Sequence, residues 1–218
     1  MDAGVGRVLA RIEQLGAADN TLIFFLSDNG PEVHRSLYSR GSAWPLKGMK
    51  TQLWEGGTRV PGILCWPGRV PAGRTSPALG SVLDVLPTAC AAAGVRVPAD
   101  VDGGIDLVRV ANGERTDRTL FFEFHFPQRG VEPSLPMAVR RGKWKLFADH
   151  DFRSVQLYDL EADVGEVRDV APQKPEVAST LRLDLQRWWR QFPIELPPKT
   201  THVPTPPPEE LDRRYYRN

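Results

Sequence analysis

The first part of the chain contains one stretch with helical apolar spacing and two strand-like apolar runs. Apolar residues between Val5 and Leu15 recur at helical spacing and Gly16 provides a stop, which predicts an amphipathic helix. Residues 21–26, TLIFFL, form an uninterrupted β-branched and aromatic run, which predicts a strand buried on both faces of a sheet. Residues 62–66, GILCW, predict a second short buried strand. Helices that follow or precede buried strands favour an α/β fold.

Glycine and proline mark turns and helix ends between these elements. Residues 55–59, EGGTR, predict a tight turn where the backbone passes close to another segment, because paired glycines accept conformations that other residues avoid. Apolar residues from 82 to 90 predict a helix with Asp84 as its cap and Pro87 in its first turn. Residues 98–113 are predicted to form a loop.

The second part of the chain has the pattern of short antiparallel strands followed by one helix. We predict four strands, at residues 119–124, 137–141, 143–147 and 155–160. Arg141-Gly142 is the predicted hairpin turn. A closing helix from Pro175 to Gln191 carries an apolar face that is expected to pack on this small sheet. Residues 193–218 are rich in proline, so we expect them to be extended or disordered.

Composition and charge are those of an ordinary globular protein. Of the 218 residues, 41% are hydrophobic, and 28 basic against 27 acidic residues give a formal net charge of +1. This near-neutral balance predicts no nucleic-acid partner. No apolar run is long enough to span a membrane, and residues 1–16 lack the features of a signal peptide. With two cysteines, Cys65 and Cys90, there is no disulfide framework, and cysteine usage does not fix the compartment.

Candidate chemistry begins where the first predicted strand ends. The sequence continues as SDNG, so Asp28 and Asn29 place short oxygen-bearing side chains beyond the strand's carboxyl end, where ligands collect in open α/β sheets. A carboxylate beside an amide oxygen is a ligand pair suited to Ca²⁺ or Mg²⁺. The alternative is a plain turn, because Asp and Asn bond their own backbone and Gly30 tolerates positive φ. The spacing alone leaves both interpretations open.

A second motif favours the metal site. Residues 50–61 read KTQLWEGGTRVP, with Lys50 five residues before EGG. This block resembles the K-x-x-x-x-E-G-G-x-R-x-P pattern of the sulfatase family, and GILCWPGRVPAG follows it here. The segments AVRRGKWKL and LYDLEADVGEVRDVA resemble the small carboxyl-terminal subdomain of sulfatases, although DVGE followed by Asp169 replaces the D-P-x-E-x-x-N often found there. The resemblance covers nearly all of residues 1–197 and matches only the carboxyl-terminal portion of a sulfatase.

The resemblance implies a fold and a division into domains. The implied fold is α/β, a partial alkaline-phosphatase-like sheet with helices, followed by a small antiparallel sheet plus a carboxyl-terminal helix. Residues 1–113 would form the carboxyl-terminal part of the catalytic α/β domain, 114–192 the small α+β subdomain and 193–218 the Pro-rich tail. Complete sulfatases are often exported or lysosomal, and this sequence does not assign a compartment.

The resemblance also implies site residues and a cofactor. In sulfatases the strand ending S-D-N-G supplies two metal ligands, and the lysine before E-G-G contacts the sulfate ester. Carried over, this makes Asp28 and Asn29 metal ligands for Ca²⁺ or Mg²⁺, and Lys50 the substrate-binding residue. A cation and an ammonium aimed at one anionic group would stabilise charge developing on its oxygens.

The amino-terminal half of a sulfatase has no counterpart in this sequence. That half carries the C-x-P-x-R cysteine that becomes the formylglycine nucleophile, two further metal carboxylates, and the groups that handle the leaving group. We therefore expect the metal site to be incomplete, because Ca²⁺ takes six or more oxygens. We predict little or no activity for the isolated chain, and association with an amino-terminal sulfatase portion if one is separately encoded.

One segment imitates the nucleophile motif. Residues 65–69, CWPGR, fit C-x-P-x-R literally. We interpret the match as coincidental, because it lies in the W-P-G turn that sulfatases place after the E-G-G block. Ile63 and Leu64 predict a buried strand, where Cys65 would be a packing residue. Residues 70–73 continue as a loop, whereas the family's motif opens a helix.

Other polar and aromatic residues are assigned structural roles. The histidines stand singly, without metal-ligand spacing, and are expected to be surface or packing residues: His34, His125, His150 and His202. Arg59 is expected to brace the EGG turn, and Trp188 and Trp189 to belong to the core. Lys47 is a weaker candidate than Lys50 for the sulfate contact.

Three functions follow from these observations. The leading one is a sulfatase fragment, part of a sulfuric ester hydrolase, that carries part of the metal and sulfate site and lacks the nucleophile. The second is a phosphodiesterase or phosphonate ester hydrolase, because sulfate and phosphate esters share tetrahedral geometry and metal-assisted chemistry. The third is a catalytically silent fragment that acts as a binding module or arises from truncation.

Overall fold

The structure is a computed structural model and describes residues 1–32, 41–101, 103–124 and 134–192. The predictions for His34, His125, His202 and the Pro-rich tail lie outside these ranges. The α-helices and strands follow in chain order as α1 (Asp2–Gln14), β1 (Ile23–Leu26), α2 (Glu55–Thr58), β2 (Gly62–Cys65), α3 (Val85–Ala93), α4 (Leu107–Ala111), β3 (Thr119–Glu123), β4 (Met137–Arg141), β5 (Trp144–Ala148), β6 (Val155–Asp159) and α5 (Pro175–Trp189).

Two compact units divide the chain. The first comprises Met1–Asp28 and Pro61–Asp117, and the second comprises Asn29–Val60 and Arg118–Asn218. One boundary between the units lies between Asp28 and Asn29. The EGG segment belongs to the same unit as the carboxyl-terminal sheet. The division at residues 113 and 114 stays a prediction about the family architecture.

The first unit contains an antiparallel pair of strands. β1 and β2 run antiparallel, with Ile23 opposite Cys65 and Leu26 opposite Gly62. Both predicted strands are confirmed, but their predicted burial is wrong, since Leu26 is 39% and Ile63 59% exposed. In the described part of the chain no third strand joins this pair, so its faces lack the cover that central strands of a wide sheet receive.

The helices of the first unit agree with the prediction except in two places. α1 ends before Gly16, which has a φ of 64°. α3 begins after Asp84 as predicted, but the Asp84 side chain makes no capping hydrogen bond to this helix, so its predicted role as a side-chain cap is wrong. The Asp84 carboxylate accepts hydrogen bonds from the backbone N–H groups of Ser81, at 2.7 Å, and Ile105, at 3.0 Å. The predicted loop at 98–113 is wrong where α4 forms, because the Asp106 side chain caps that helix.

The second unit is a four-stranded antiparallel sheet covered on both faces. The strand order is β3-β4-β5-β6, and the four predicted strands and the closing helix are confirmed within two residues at each end. Arg141 pairs with Trp144, so the hairpin turn is formed by Gly142 and Lys143, one residue later than predicted. One face carries α5, whose Leu181 and Leu185 are buried against the sheet.

The opposite face of the sheet is covered by the segment that leads into α2. Leu53 and Trp54 belong there to a second apolar cluster, and the centroids of the Trp54 and Phe147 rings lie 4.5 Å apart. Successive residues of a strand point to opposite faces, so positions that alternate with the α5 contacts also become buried. The carboxyl-terminal sheet therefore holds residues 53–58 directly.

Candidate functional site

Residues 55–59 were predicted to form a tight turn, but Glu55–Thr58 form the short helix α2, which is packed against two other backbone segments. A side chain at Gly30 would overlap the carbonyl oxygen of Gly56, and one at Gly57 would overlap the carbonyl oxygen of Gln52. A Cβ at Gly56 would lie 2.6 Å from the Lys47 carbonyl oxygen, which accepts a hydrogen bond from the Gly56 amide at 2.7 Å. The predicted close approach at the paired glycines is confirmed, and its partners are residues 47–52 and Gly30.

Backbone hydrogen bonds join residues 30–31, at the end of the SDNG motif, to the block that contains Lys50 and EGG. The Gly30 amide donates to the Gly57 carbonyl oxygen at 2.9 Å, and the Lys50 amide donates to the Pro31 carbonyl oxygen at 3.0 Å. Asn29, the predicted ligand at the start of this unit, therefore lies two residues from a residue bonded to Lys50. The roles of Asp28, Asn29 and Lys50 themselves stay predictions.

The two candidate lysines have different surroundings. Lys50 is exposed, and within the described ranges no ion pair joins its ammonium to another residue. The Lys47 ammonium lies 3.6 Å from the centroid of the Trp54 ring and donates to the Glu166 carbonyl oxygen at 3.5 Å. Thr51 follows Lys50 with a φ of 76°, which is unfavourable for a β-branched residue. This arrangement favours Lys50 over Lys47 as a group available to an anion.

A buried network of charged side chains holds the first residue of α2. Glu55 is 1% exposed, and its carboxylate lies 2.9 Å from the Lys145 ammonium and 2.7 Å from the Arg140 guanidinium. The Glu55 amide donates to a carboxylate oxygen of Glu166 at 2.7 Å. Lys145, also fully buried, lies 3.4 Å from the other oxygen of Glu166. The network joins α2 to β4, β5 and the turn that follows β6.

Burial raises the pKa of both carboxylates of this network, but their net pKa shifts have opposite directions. Burial raises the pKa of Glu55, but the charges of Lys145 and Arg140 outweigh it, so this pKa lies below its ordinary value of 4.5. Burial also raises the pKa of Glu166, and Lys145 offsets this only in part, so the Glu166 pKa stays raised. Lys145 lies closer to Glu55, and Arg140 adds a second charge there.

Sequence reasoning did not assign these network residues. Arg140 and Lys145 lie directly opposite each other on the neighbouring strands β4 and β5. Glu166 has a φ of 51° in the connecting turn, where the sequence departs from the common family pattern. The usable signal was the placement of lysine and arginine on the strand face opposite the predicted helix, combined with a glutamate before paired glycines.

The metal prediction is only partly matched by the residues of this chain. Asp28 and Asn29 supply oxygen atoms of the kind that Ca²⁺ and Mg²⁺ prefer. Among the described residues, however, no three His, Cys, Asp or Glu side chains come together as a metal-binding group. The two residues therefore fit part of a coordination sphere for either cation.

Cys65 is exposed, so the prediction that it packs in a buried strand is wrong. The residue ends β2, at the edge of a sheet that has only two strands in the described part of the chain. The following Trp66 is buried, and its carbonyl oxygen accepts hydrogen bonds from Arg69 and Val70, which closes a turn. The segment after Cys65 is thus a turn and loop, as predicted, and the interpretation of the motif match as coincidental stays a prediction.

A cavity in the first unit does not involve the predicted site. Its volume is about 320 Å³, and its lining includes Trp66, Arg69, Asp106 and Asn112. None of Asp28, Asn29 and Lys50 lines it. The cavity therefore does not bear on the roles predicted for these three residues.

The remaining assignments concern packing. The Arg59 guanidinium lies 3.8 Å from the Glu55 carboxylate, in keeping with a role in bracing the turn. Trp188 and Trp189 are half-buried against the core under α5. The His150 ring lies 5.2 Å from the Trp189 ring, in keeping with a packing role. No helix among the described residues has the length and apolar character needed to cross a membrane.

Comparison with protein families connects these features to known enzymes. The family described as Sulfatase matches residues 1–95, and the one described as N-sulphoglucosamine sulphohydrolase, C-terminal, matches residues 49–191. The chain belongs to the sulfatase family. The two matches together cover the SDNG and EGG motifs, the small sheet and α5.

Curated sulfatases share extended similarity with this family member. The chain is 40% identical over 147 residues to N-acetylgalactosamine-6-sulfatase of Canis lupus familiaris, covering 66% of this chain and 27% of that protein. It is 35% identical over 211 residues to arylsulfatase A of Homo sapiens, covering 84% of this chain and 40% of that protein. The chain thus spans about a quarter to two fifths of the length of these sulfatases.

Solved sulfatase structures confirm the fold class. The structure of Ps i-CgsB in complex with k-i-k-neocarrahexaose matches with a TM-score of 0.70 and 30% identity, covering 86% of this chain and 40% of that one. The structure of yidJ from Bacteroides fragilis matches with a TM-score of 0.67 and 23% identity, which bears on the fold alone. This sulfatase chain therefore has a partial alkaline-phosphatase-like α/β fold, a small antiparallel sheet and a carboxyl-terminal helix.

Proposed function

We propose that the chain is the carboxyl-terminal part of a sulfatase site that hydrolyses sulfate esters. In this proposal Asp28 and Asn29 hold a divalent cation, Ca²⁺ or Mg²⁺, and Lys50 contacts the sulfate group. The hydrogen bond between the Lys50 amide and the Pro31 carbonyl oxygen carries the proposal, because it holds the Lys50 segment against the residues that follow SDNG. When bound, the cation would supply positive charge for the oxygens of the ester.

The proposed site needs ligands beyond those of this chain. Two oxygen-bearing side chains are a minority of the six or more oxygens that Ca²⁺ takes. The exposed apolar residues Leu26 and Ile63 of the first unit are also typical of a surface that another polypeptide covers. We propose that a polypeptide corresponding to the amino-terminal portion of sulfatases covers these strands and supplies the nucleophile. Cys65 has no catalytic role in this proposal.

The metal ligands can be tested without enzymatic activity. Mn²⁺ binds the same oxygen ligands as Mg²⁺ and broadens the NMR signals of nearby nuclei. In the full chain labelled with ¹⁵N, we expect low Mn²⁺ concentrations to broaden the signals of Asp28 and Asn29 first. Excess Ca²⁺ or Mg²⁺ should restore them, and the more effective competitor identifies the preferred cation. Asn29→Ala should weaken the effect, and broadening centred elsewhere would contradict the proposed ligands.

The sulfate contact has a matched lysine control. We expect inorganic sulfate to shift the side-chain NMR signals of Lys50 and to leave those of Lys47 nearly unchanged, because Lys47 already contacts Trp54 and Glu166. Lys50→Gln should abolish the response of the loop, and Lys47→Gln should retain it. A response that follows Lys47 would reverse the assignment.

Turnover tests the reaction class. The isolated chain is expected to show no hydrolysis of 4-nitrophenyl sulfate, whereas mixing it with the amino-terminal portion of a sulfatase should restore activity that Lys50→Gln lowers. Bis(4-nitrophenyl) phosphate serves as the parallel substrate, and preferential hydrolysis of this diester would favour a phosphodiesterase. Activity of the isolated chain that Cys65→Ala abolishes would overturn the role given to that residue.

A further inference from the structure

We propose that Lys145 and Glu166 are positioning residues that fix the Lys50 loop, residues 47–52, through Glu55. The inference rests on the proposed function in one respect, since it takes Lys50 as the sulfate contact. It adds that the small carboxyl-terminal sheet sets the position of that lysine. All of these residues belong to the second compact unit.

The first step is that Glu55 is held at both its backbone and its side chain. Its amide donates to Glu166 at 2.7 Å, and its carboxylate lies 2.9 Å from Lys145 and 2.7 Å from Arg140. The Lys145 ammonium also lies 3.3 Å from the Thr58 hydroxyl at the other end of α2. Directional contacts of this kind restrict both the location and the rotation of the short helix.

The second step is that α2 transmits its position through glycine backbone. Gly56 and Gly57 lie so close to the carbonyl oxygens of Lys47 and Gln52 that a Cβ atom would not fit at either position. Backbone packed at this distance has no flexible side chain that could absorb a shift. A displacement of Glu55 therefore moves residues 47–52, including Lys50.

The third step is that apolar packing alone does not require this network. The sheet face that carries Lys145 also carries Phe147, which packs on Trp54. An apolar residue at position 145 would extend that packing without the desolvation cost of an ammonium and two carboxylates. Buried charges in such a place specify one geometry, and the geometry specified here is that of the loop next to Gly30.

Glu166→Gln tests the inference with a side chain of the same shape. The neutral amide cannot satisfy the Glu55 amide and Lys145 together, because turning its oxygen to one points its NH₂ group at the other. We expect hydrogen exchange at the Lys50, Gly30 and Gly56 amides of the full chain to accelerate at least tenfold more than exchange in β4 and β5. Glu161→Gln, an exposed change between β6 and Glu166, should leave both sets unchanged.

The exchange pattern separates positioning from general stabilisation. Acceleration by one common factor throughout the second unit, or no change in the loop, would overturn the inference. Should Glu166→Gln fail to fold, Thr58→Val removes a weaker contact of Lys145 and should give the same loop-selective pattern with smaller factors. A uniform pattern in that variant would count equally against the proposal.

A sulfate titration distinguishes this inference from the proposed function. In Glu166→Gln the Kd for inorganic sulfate, read from the Lys50 side-chain signals, should rise several-fold, and in Glu161→Gln it should not. If the unaltered chain shows no sulfate response at Lys50, the proposed function fails, while the exchange pattern still decides whether the network positions the loop. Loop-selective exchange with an unchanged sulfate Kd would refute the link to Lys50.

Discussion

Replacing Lys145 by methionine removes the ammonium that Glu55 and Glu166 share. The ammonium lies 2.9 Å from one carboxylate and 3.4 Å from the other, and all three side chains are buried. Removing one partner of a buried ion pair costs roughly 3–5 kcal/mol. Methionine fills nearly the same space, so the cavity contribution is small. Glu55 keeps Arg140 as a partner, and we therefore expect a loss of about 3 kcal/mol near neutral pH.

The loss should depend on pH in a direction set by the two carboxylates. In the unaltered chain Glu55 has a lowered pKa, so its pair contributes stability above the unfolded value of about 4.5 and loses it as pH falls through the folded value. Without Lys145 burial dominates, and the pKa values of Glu55 and Glu166 rise. Each carboxylate then destabilises the fold as pH increases through its folded pKa. The difference between the two proteins should be larger at pH 8 than at pH 5.

Urea denaturation followed by tryptophan fluorescence measures this difference. The second unit contains Trp44, Trp54, Trp144, Trp188 and Trp189, which are five of the chain's six tryptophans. Lys143→Met is the matched control, because Lys143 is two residues away and its pair with Asp159 is reached by solvent. The free energy of unfolding of Lys143→Met should fall by only a small fraction of the loss found in Lys145→Met. Equal losses in the two variants, or a larger difference at pH 5, would refute the reasoning.

Three further changes test other parts of the structure. Gly57→Ala places a Cβ against a carbonyl oxygen of the Lys50 loop and should cost about 1–3 kcal/mol in urea denaturation, whereas Gly6→Ala, in open space on α1, should stabilise by up to about 1 kcal/mol. Asp84→Ala leaves two backbone N–H groups without their acceptor and should cost about 1–3 kcal/mol for each, which thermal unfolding of the first unit would reveal; a loss below about 0.5 kcal/mol would contradict this. Burial and the nearby carboxylates of Asp169, Glu166 and Asp163 raise the pKa of Tyr158 to about 12, so stability should fall between pH 10 and 12, and Tyr158→Phe should flatten that fall. An ultraviolet titration that found Tyr158 ionising near 10 would contradict the raised pKa.

Local sequence patterns predicted the elements of the second unit well. β4 and β5 follow from alternating and aromatic residues around Gly142, and α5 follows from Pro175 and its apolar positions. These signals depend on neighbouring residues, which is why their limits are correct to within a few positions. The close approach at Gly56 and Gly57 was also predictable, because two adjacent residues without a Cβ allow another backbone segment to pack directly against them.

The second cover of the small sheet could not be predicted from such signals. It depends on contacts between residues about 90 positions apart, such as Glu55 with Lys145. In the sequence Lys145 has the pattern of an outward-facing polar residue in a one-sided strand, and only the buried partner accounts for it. The exposure of Cys65 was missed for a related reason, since an apolar run predicts burial whether or not a neighbouring segment is present to provide it.

The candidate site residues were predicted from motifs, and the structure adds the reason for their spacing. Lys50 lies five residues before EGG because the loop must turn back so that its carbonyl oxygens meet Gly56 and Gly57. The residue after Asn29 is a glycine because a Cβ atom at position 30 would overlap the Gly56 carbonyl oxygen. The cation and the sulfate ester are assigned from the motifs.

The late position of Lys145 and Glu166 has a consequence for synthesis of the chain. Glu55 leaves the ribosome about 90 residues before Lys145 and about 110 before Glu166, so for that interval its carboxylate and amide lack these partners. Contacts of such wide separation form late and slow folding. A polypeptide that stopped at residue 113 would retain SDNG, Lys50 and the paired glycines, yet it would have nothing to clamp them into one arrangement.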